Sequence, residues 1–337
     1  MISNLAQYLN MNTILVSEIS YNKAKSTFEK LQQDTGYAFQ PTDESEVALA
    51  ETIKATNAKA FIADIHPYTN ELYTALPAGG IIARYGVGHD SVDKEKASAN
   101  GIHVANTPGV LDNAVAEHAC WMIGNTSRHL HTLHPDTLSG NWNPVPGVEL
   151  LNRKVAILGF GRIGQNLCRK LSFGFGMQVT GVDIIDADNF FDQQANIGFA
   201  EYTTDRDAAI AEADYVVLLM AVVPDTKHIV NADFLSKMKP SAILINSARG
   251  ALVKENDLYD ALSKGSIAGA GLDVFEAEPY IPQDSNKDLR TLNNILITPH
   301  VGSNTAESNA AMATTAAQNI ITILEQGSDA CANIVNR

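Results

Sequence analysis

The stretch from Lys154 to Asp183, KVAILGFGRIGQNLCRKLSFGFGMQVTGVD, leaves few folds open to the chain that carries it. An apolar run from Val155 to Leu158 meets Gly159-x-Gly161-x-x-Gly164. The pattern continues at helical spacing to about Leu171 and resumes as a second short run, Gln178 to Val182, before Asp183. Strand, helix and strand in that order make a βαβ unit, whose strands are parallel and whose crossover is right-handed.

The three glycines answer the demands of a bound pyrophosphate. Gly159 allows the sharp turn out of the strand, Gly161 lets phosphate approach the backbone, and Gly164 lets helix and strand pack closely. The helix that opens there directs unpaired N–H groups at an anion. Asp183 lies 19 residues beyond Gly164 at the tip of the second strand. That is close to the roughly 20-residue offset at which a carboxylate reaches the adenosine ribose hydroxyls. The same carboxylate repels a 2′-phosphate, and no Arg follows in Ile184-Ile185-Asp186, so NAD is expected rather than NADP.

Length and charge narrow the rest. At 337 residues the chain exceeds one ordinary domain and suggests two. With 45% apolar residues and no apolar run near 18 residues, it reads as globular rather than membrane-spanning. The start, MISNLAQYLNMNTILVSEI, has neither a basic n-region nor a long apolar core, and residues before Asn12 read as a loose extension. A net charge of −14, spread along the chain, disfavours nucleic acid and anionic membranes as partners. An anionic substrate therefore needs a local positive site. Cys120, Cys168 and Cys331 are scattered outside any CxxC spacing, which fits a reducing compartment, the cytoplasm by default, and no zinc site.

Taken in order, Ile14 to Val16, Lys59 to Asp64, Gly80 to Arg84 and Gly101 to Ala105 read as strands, with helices at Lys23 to Gln33 and Lys94 to Ala99. The loop from Arg84 to Asp93, RYGVGHDSVD, reads equally as a plain turn or as backbone N–H groups cradling a carboxylate. Asn106-Thr107-Pro108-Gly109 breaks the chain direction. Leu111 to Leu130 has a helical pattern with Val115, His118, Ala119, Met122 and Ile123 on one face. His129, His131 and His134 invite a metal reading, but no carboxylate or Cys completes a ligand set, and a surface loop or subunit contact is preferred. Trp142 lies in an irregular arm and suggests contact with another subunit. Beyond Asp183 the expectations are helices at Asp205 to Ala213, Asn231 to Met238 and Lys254 to Lys264, and strands at Tyr215 to Met220, Ala242 to Asn246 and Ile267 to Leu272.

Ligands of open α/β sheets bind at the carboxyl ends of strands, so polar residues there outrank others. Three such segments stand out: NSARG at 246–250, DVFEAEP at 273–279 and TPHVGS at 298–303. Reduction of a 2-oxo acid builds negative charge on the carbonyl oxygen and needs a proton donor poised near neutral pH, a role for His300. Glu278 is the candidate carboxylate to favour its imidazolium. Arg249 can fork onto the substrate carboxylate and polarise the ketone. Asp273 is placed to accept from a nicotinamide carboxamide. Singly, each also reads as an ordinary turn or structural residue.

Six ordered motifs, RYGVGHDSVD, NTPGVLDNAVAEH, LGFGRIG, NSARG, LDVFEAEP and TPHVGS, give a resemblance from about Lys59 to Leu324. Over that span the chain resembles the D-isomer-specific 2-hydroxyacid dehydrogenases, nearest the phosphoglycerate dehydrogenase group. The resemblance implies an α/β protein of two doubly wound parallel-sheet domains, a Rossmann-type NAD domain inserted into a flavodoxin-like substrate domain. It assigns 1–107 with 304–337 to the substrate domain and 108–303 to the NAD domain, with Thr305 to Gln326 returning to the first and a cleft between the two that closes over substrate. Arg249, Glu278 and His300 correspond to the catalytic triad, and the Val87 and Gly88 backbone holds the substrate carboxylate. Arg162, Ile163, Asp183, Ala248, Asp273 and Gly302 touch NAD alongside Gly159, Gly161 and Gly164. A homodimer is expected.

Two departures accompany the resemblance: the loop Met220 to Thr226 lacks a first proline and a threonine that many relatives carry, and the chain ends at Arg337 without a regulatory extension. The resulting expectation is an NAD-dependent enzyme interconverting a 2-oxo acid and a D-2-hydroxy acid. An NAD(H)-sensing, corepressor-like interaction protein is the alternative, and a formate dehydrogenase relative is disfavoured by Glu278.

Overall fold

The computed structural model describes residues 12–185, 198 and 201–337. The expected extension before Asn12 and most of the loop after Asp183 lie outside the described residues. The chain falls into two compact units, one formed by the residues up to Leu111 with Asn304–Arg337, the other by Asp112–Ser303.

The first unit is a five-stranded parallel sheet ordered β2-β1-β3-β4-β5. Its strands are β1 (Thr13–Ser17), β2 (Ala38–Thr42), β3 (Ala60–Ala63), β4 (Ile81–Arg84) and β5 (His103–Ala105). This is the flavodoxin-like order, in which the reversal beside β1 marks the switch point. Every residue of β3 and β4 is buried, as expected of strands covered on both faces. Pro41 sits in β2, an edge strand, where a missing donor is tolerated. The single helix expected from Lys23 is two, α1 (Glu18–Lys23) and α2 (Lys25–Thr35), because Ala24 leaves the helical region at φ −134° and ψ 33°. Helices α3 (Glu46–Thr56), α4 (Glu71–Ala75) and α5 (Lys94–Ala99) complete the crossovers.

The second unit opens with α6 (Asp112–Ser127) and α7 (Leu130–Leu138). The three-histidine stretch is thus largely helix rather than loop; His131 is tied by its backbone N–H and its Nδ1 to Asn125 Oδ1. No cluster among the described residues has the make-up of a metal site. Then follow β6 (Lys154–Leu158), α8 (Arg162–Arg169), β7 (Gln178–Val182), β8 (Glu201–Thr203), α9 (Arg206–Glu212), β9 (Tyr215–Leu218) and α10 (Ala232–Lys237). The unit closes with β10 (Ile243–Asn246), α11 (Glu255–Ser263), β11 (Gly269–Leu272) and β12 (Ile295–Ile297). The sheet order β12-β11-β10-β9-β6-β7-β8 is the doubly wound dinucleotide-binding order with one added strand.

Two apolar layers flank this sheet. One holds Leu218, Phe234, Leu244 and Leu258; the other, built on α6, holds Met122, Ile157, Phe160 and Tyr215. Each such fully buried side chain contributes about 1.5–3 kcal/mol. Helix α12 (Ala306–Gln326), capped by Thr305 Oγ1 on the Ser308 N–H, belongs to the first unit and packs on β4 and α2. Among the described residues no helix is long and apolar enough to cross a membrane.

Candidate active site

In the first unit, the segment after β4 turns its carbonyls inward. Arg84, only 4% exposed, donates from Nη1 to Tyr85 O at 3.4 Å and from Nε to Gly88 O at 2.8 Å. The Thr107 N–H donates to Gly86 O at 3.0 Å, and Asn106 Nδ2 to Val87 O at 2.7 Å. Because a trans peptide opposes its C=O and N–H, tying the Gly86 and Val87 carbonyls inward turns the Val87 and Gly88 N–H groups outward. Neither donates to a protein group among the described residues. Tyr85 is buried, and its hydroxyl donates to Asn309 O at 2.8 Å. Burial first, then the Lys94 ammonium, lower the pKa of the half-buried His89 imidazole against the pull of Asp90.

In the second unit the glycine turn is shaped by its neighbours. Gly159 has φ +91°, and a Cβ there would lie 2.5 Å from Met220 N, so both conformation and space demand glycine. A Cβ on Gly164 would meet Gly159 O at 2.6 Å, whereas one on Gly161 would meet nothing within 4 Å. The open side of the turn therefore lies at Gly161, where α8 begins. Asp183, ending β7, accepts the Phe160 N–H at 2.8 Å and the Ile184 N–H at 2.8 Å, so its carboxylate is fixed to the glycine turn. Arg162 is 73% exposed and pairs with the buried Asp112 at 2.7 Å, while Ile163 packs on the core. The loop from Met220 is braced by Thr226, whose hydroxyl donates to Ala221 O and accepts from the Val223 N–H.

The turns that carry Arg249, Glu278 and His300 pack against one another through backbone contacts at the ends of β10, β11 and β12. Asn246 holds the first turn, donating to Arg249 O at 2.9 Å and accepting the Ala248 N–H at 3.1 Å. Gly250 lies against the second turn so closely that a Cβ would come within 1.9 Å of Phe275 C. Within that turn, Glu278 Oε1 accepts the Phe275 N–H at 2.9 Å, and Oε2 lies 2.6 Å from His300 Nδ1. His300 stands at φ +53°, with its N–H donated to Asp273 O at 2.8 Å.

Asp273 fastens the third turn from inside. One carboxylate oxygen accepts the Thr298 hydroxyl at 2.5 Å and the Val301 N–H at 2.9 Å, and the other accepts the Gly302 N–H at 2.8 Å. His118 Nε2 is 3.3 Å from the first of these oxygens. Burial works to raise the Asp273 carboxyl, but the donors from His118, Thr298 and Val301 outweigh it and hold the group below its usual range. The oxygens expected to meet a cofactor amide are thus engaged by the turn that carries His300. Sequence reading placed His118 only on an apolar helix face; a histidine among Val115, Ala119 and Met122 was the available signal of a buried polar partner.

A glycine turn feeding a helix, a carboxylate at the next strand tip, and an arginine beside a histidine–carboxylate pair at the strand ends define a dinucleotide-dependent oxidoreductase. Comparison with known proteins gives the family. The model of the D-isomer specific 2-hydroxyacid dehydrogenase NAD binding domain matches residues 120–302. A glyoxylate reductase of Pyrococcus furiosus is 39% identical over 260 residues, covering 74% of each chain. A hydroxypyruvate reductase of Thermotoga maritima is 36% identical over 231 residues, covering 68% of this chain and 72% of its own. The solved NADPH-dependent glyoxylate/hydroxypyruvate reductase of Sinorhizobium meliloti, in complex with NADP and malonate, is similar with TM-score 0.80 and 28% identity, covering 96% of both chains. The chain belongs to the D-isomer specific 2-hydroxyacid dehydrogenase family and is an NAD(P)-dependent dehydrogenase.

Proposed function

We propose that the enzyme reduces a small, unphosphorylated 2-oxo acid of the glyoxylate or hydroxypyruvate type to the D-2-hydroxy acid, with NADH as the preferred reductant. The observation that carries this reading is the Glu278–His300 pair at 2.6 Å beside the Arg249 turn. The residues fit a dinucleotide: the open face at Gly161 admits a pyrophosphate, the first turn of α8 offers N–H groups, and Asp183 would hold the ribose hydroxyls. When bound, the nicotinamide supplies a hydride to the substrate carbonyl carbon. Ile163, Ala248, Asp273 and Gly302 complete its surroundings.

The chain's own groups do the rest. In the second unit the Arg249 guanidinium receives the substrate carboxylate and polarises the carbonyl; in the first, the Val87 and Gly88 N–H groups are open to a carboxylate. With Glu278 holding Nδ1, the His300 Nε2–H is left to donate to the forming alkoxide. In the oxidative direction the ring keeps its Nδ1 proton and Nε2 accepts. The engagement of cations in the first unit disfavours a phosphate: Arg84 donates to backbone carbonyls, Lys23 pairs with buried Asp64 at 3.1 Å, and the His89 pKa is lowered by burial.

A homodimer is the matching assembly. Trp121, Leu138, Trp142, Val145 and Leu151 of the second unit are exposed, Trp142 at 85%, and a subunit contact would take such large apolar side chains out of water. Cys120, Cys168 and Cys331 are buried and form no disulfide among the described residues, which fits a cytoplasmic setting. The test is a substrate panel of glyoxylate, hydroxypyruvate, phosphohydroxypyruvate and longer 2-oxo acids with each reductant. Turnover of the first two with NADH, at kcat/KM about 10-fold or more above that with NADPH, is expected. NADH binding without turnover on any substrate would favour the sensing alternative.

A further inference from the structure

The turn from Phe275 to Glu278 carries two glutamates two residues apart, and only one of them addresses His300. We propose that Glu255 is the positioning residue that decides which, by anchoring the Glu276 N–H so that Glu278 is presented to His300. The inference rests on the acid–base reading of His300 given above.

Glu255 opens α11 and is 4% exposed. Its Oε1 accepts the Glu276 N–H at 2.9 Å, while Oε2 is buried with no hydrogen-bond partner among the described residues. An orphaned carboxyl oxygen in the interior is costly, and departures of this kind are expected at functional sites. The task is visible in the neighbours. The 249–255 segment grips the acidic turn twice, by the close approach of Gly250 to Phe275 and Glu276 and by the Glu255 carboxyl five residues on. The Glu276 side chain is drawn aside by His228 and Gln283, which leaves Glu278 to bridge the Phe275 N–H and His300.

Charges around Glu255 come from several elements: Glu276 and Glu278 on the turn, His228 from the preceding loop, and the Tyr280 phenol beyond. On α11's own first turn, Asp257 pairs with Lys254 at 3.1 Å. Burial pushes the Glu255 carboxyl up, Glu276 and Glu278 add to that, and the Glu276 N–H and His228 oppose it. A glutamine at this position has the same shape and the same Oε1 acceptor.

The experiment compares Glu255→Ala and Glu255→Gln in the full-length enzyme. It uses hydrogen exchange at the Glu276 amide, NADH affinity by fluorescence, and the pH profile of reductive kcat/KM. Glu255→Ala is expected to speed Glu276 exchange about 10-fold or more. It should lower kcat about 10- to 100-fold and move the His300-dependent limb acidward by about one pH unit, with NADH affinity within twofold. Glu255→Gln should restore all three. If Glu255→Ala does not fold, Glu255→Asp, whose carboxyl is retracted by one methylene, takes its place with the same expected directions. Unchanged Glu276 exchange, an unmoved limb, or a Gln variant as impaired as the Ala variant overturns the proposal. A His300→Gln control whose profile keeps the same limb refutes the acid–base reading itself, and the proposal falls with it.

Discussion

The contact between Gly250 and the Phe275–Glu276 backbone sets up a stringent test of how the candidate catalytic groups are held. A Cβ at position 250 would lie 1.9 Å from Phe275 C, 2.1 Å from Phe275 O and 2.4 Å from Glu276 N, all backbone atoms that no rotamer change can move. Ordinary contact begins near 3.4 Å, so Gly250→Ala must part the two turns by about 1.5 Å. A misplacement of about 1 Å at a reacting centre can lower rate about 100-fold, and overpacking of this kind costs about 1–3 kcal/mol of stability. For a unit of this size that is a fall in Tm of roughly 2–12 °C. We expect kcat/KM for glyoxylate or hydroxypyruvate to fall at least about 100-fold, with NADH affinity within a few fold of wild type, since the glycine turn at 159–164 is untouched. Steady-state NADH oxidation, fluorescence titration and a thermal melt measure the three quantities. Activity within about threefold of wild type would show that the spacing between the Arg249 and Glu278 turns does not set the rate.

Other outcomes follow from the same geometry. Arg249→Ala should lower kcat about 10²–10³-fold while leaving NADH binding nearly intact; loss of NADH binding instead, read by fluorescence titration, refutes its assignment to substrate. Under the proposed function His300 gives up a proton in reduction and takes one in oxidation, so the reductive pH optimum should lie below the oxidative one. Matching kcat/KM profiles in both directions, with chemistry shown to limit, would count against it. Asp273, whose folded pKa is lowered, contributes stability that is present above the unfolded value of about 3.9 and is lost as pH falls through the lower folded value. Asp273→Asn should therefore cost about 1–3 kcal/mol at neutral pH, and its Tm gap to wild type should narrow as melts are run below about pH 4.

Much of this was legible in the sequence wherever the signal is local. The βαβ unit from Lys154 to Asp183 and the buried strands after it were readable because fully covered parallel strands are continuous apolar runs. Where burial is partial the pattern thins: β2 was passed over because Pro41 and Gln40 break its run, and β8 and β12 are three residues each. The histidines of α7 read as a loop since Pro135 argues against helix interior and no residue of that helix is buried to show a periodicity. At the site, residue types at strand ends pointed to Arg249, Glu278 and His300. Their fastening was not legible, because Asp273 with His118, Gly250 with Phe275, and Glu255 with Glu276 are pairings between segments about 20 to 155 residues apart that only the folded chain brings together.

The segment from Tyr85 to Gly88 has a further consequence. Its outward N–H groups are backbone, so the capacity to receive an anion is not encoded at the positions that would meet it. It is encoded at Arg84, Asn106 and Thr107, whose groups face the interior and hold the carbonyls. The side chain at Val87 is thereby released to vary in size and polarity without dismantling the receiver. Under the proposed function, substitution at the half-buried Val87 would retune which acid is admitted, while recognition of the carboxylate would stay in the keeping of residues that never touch it.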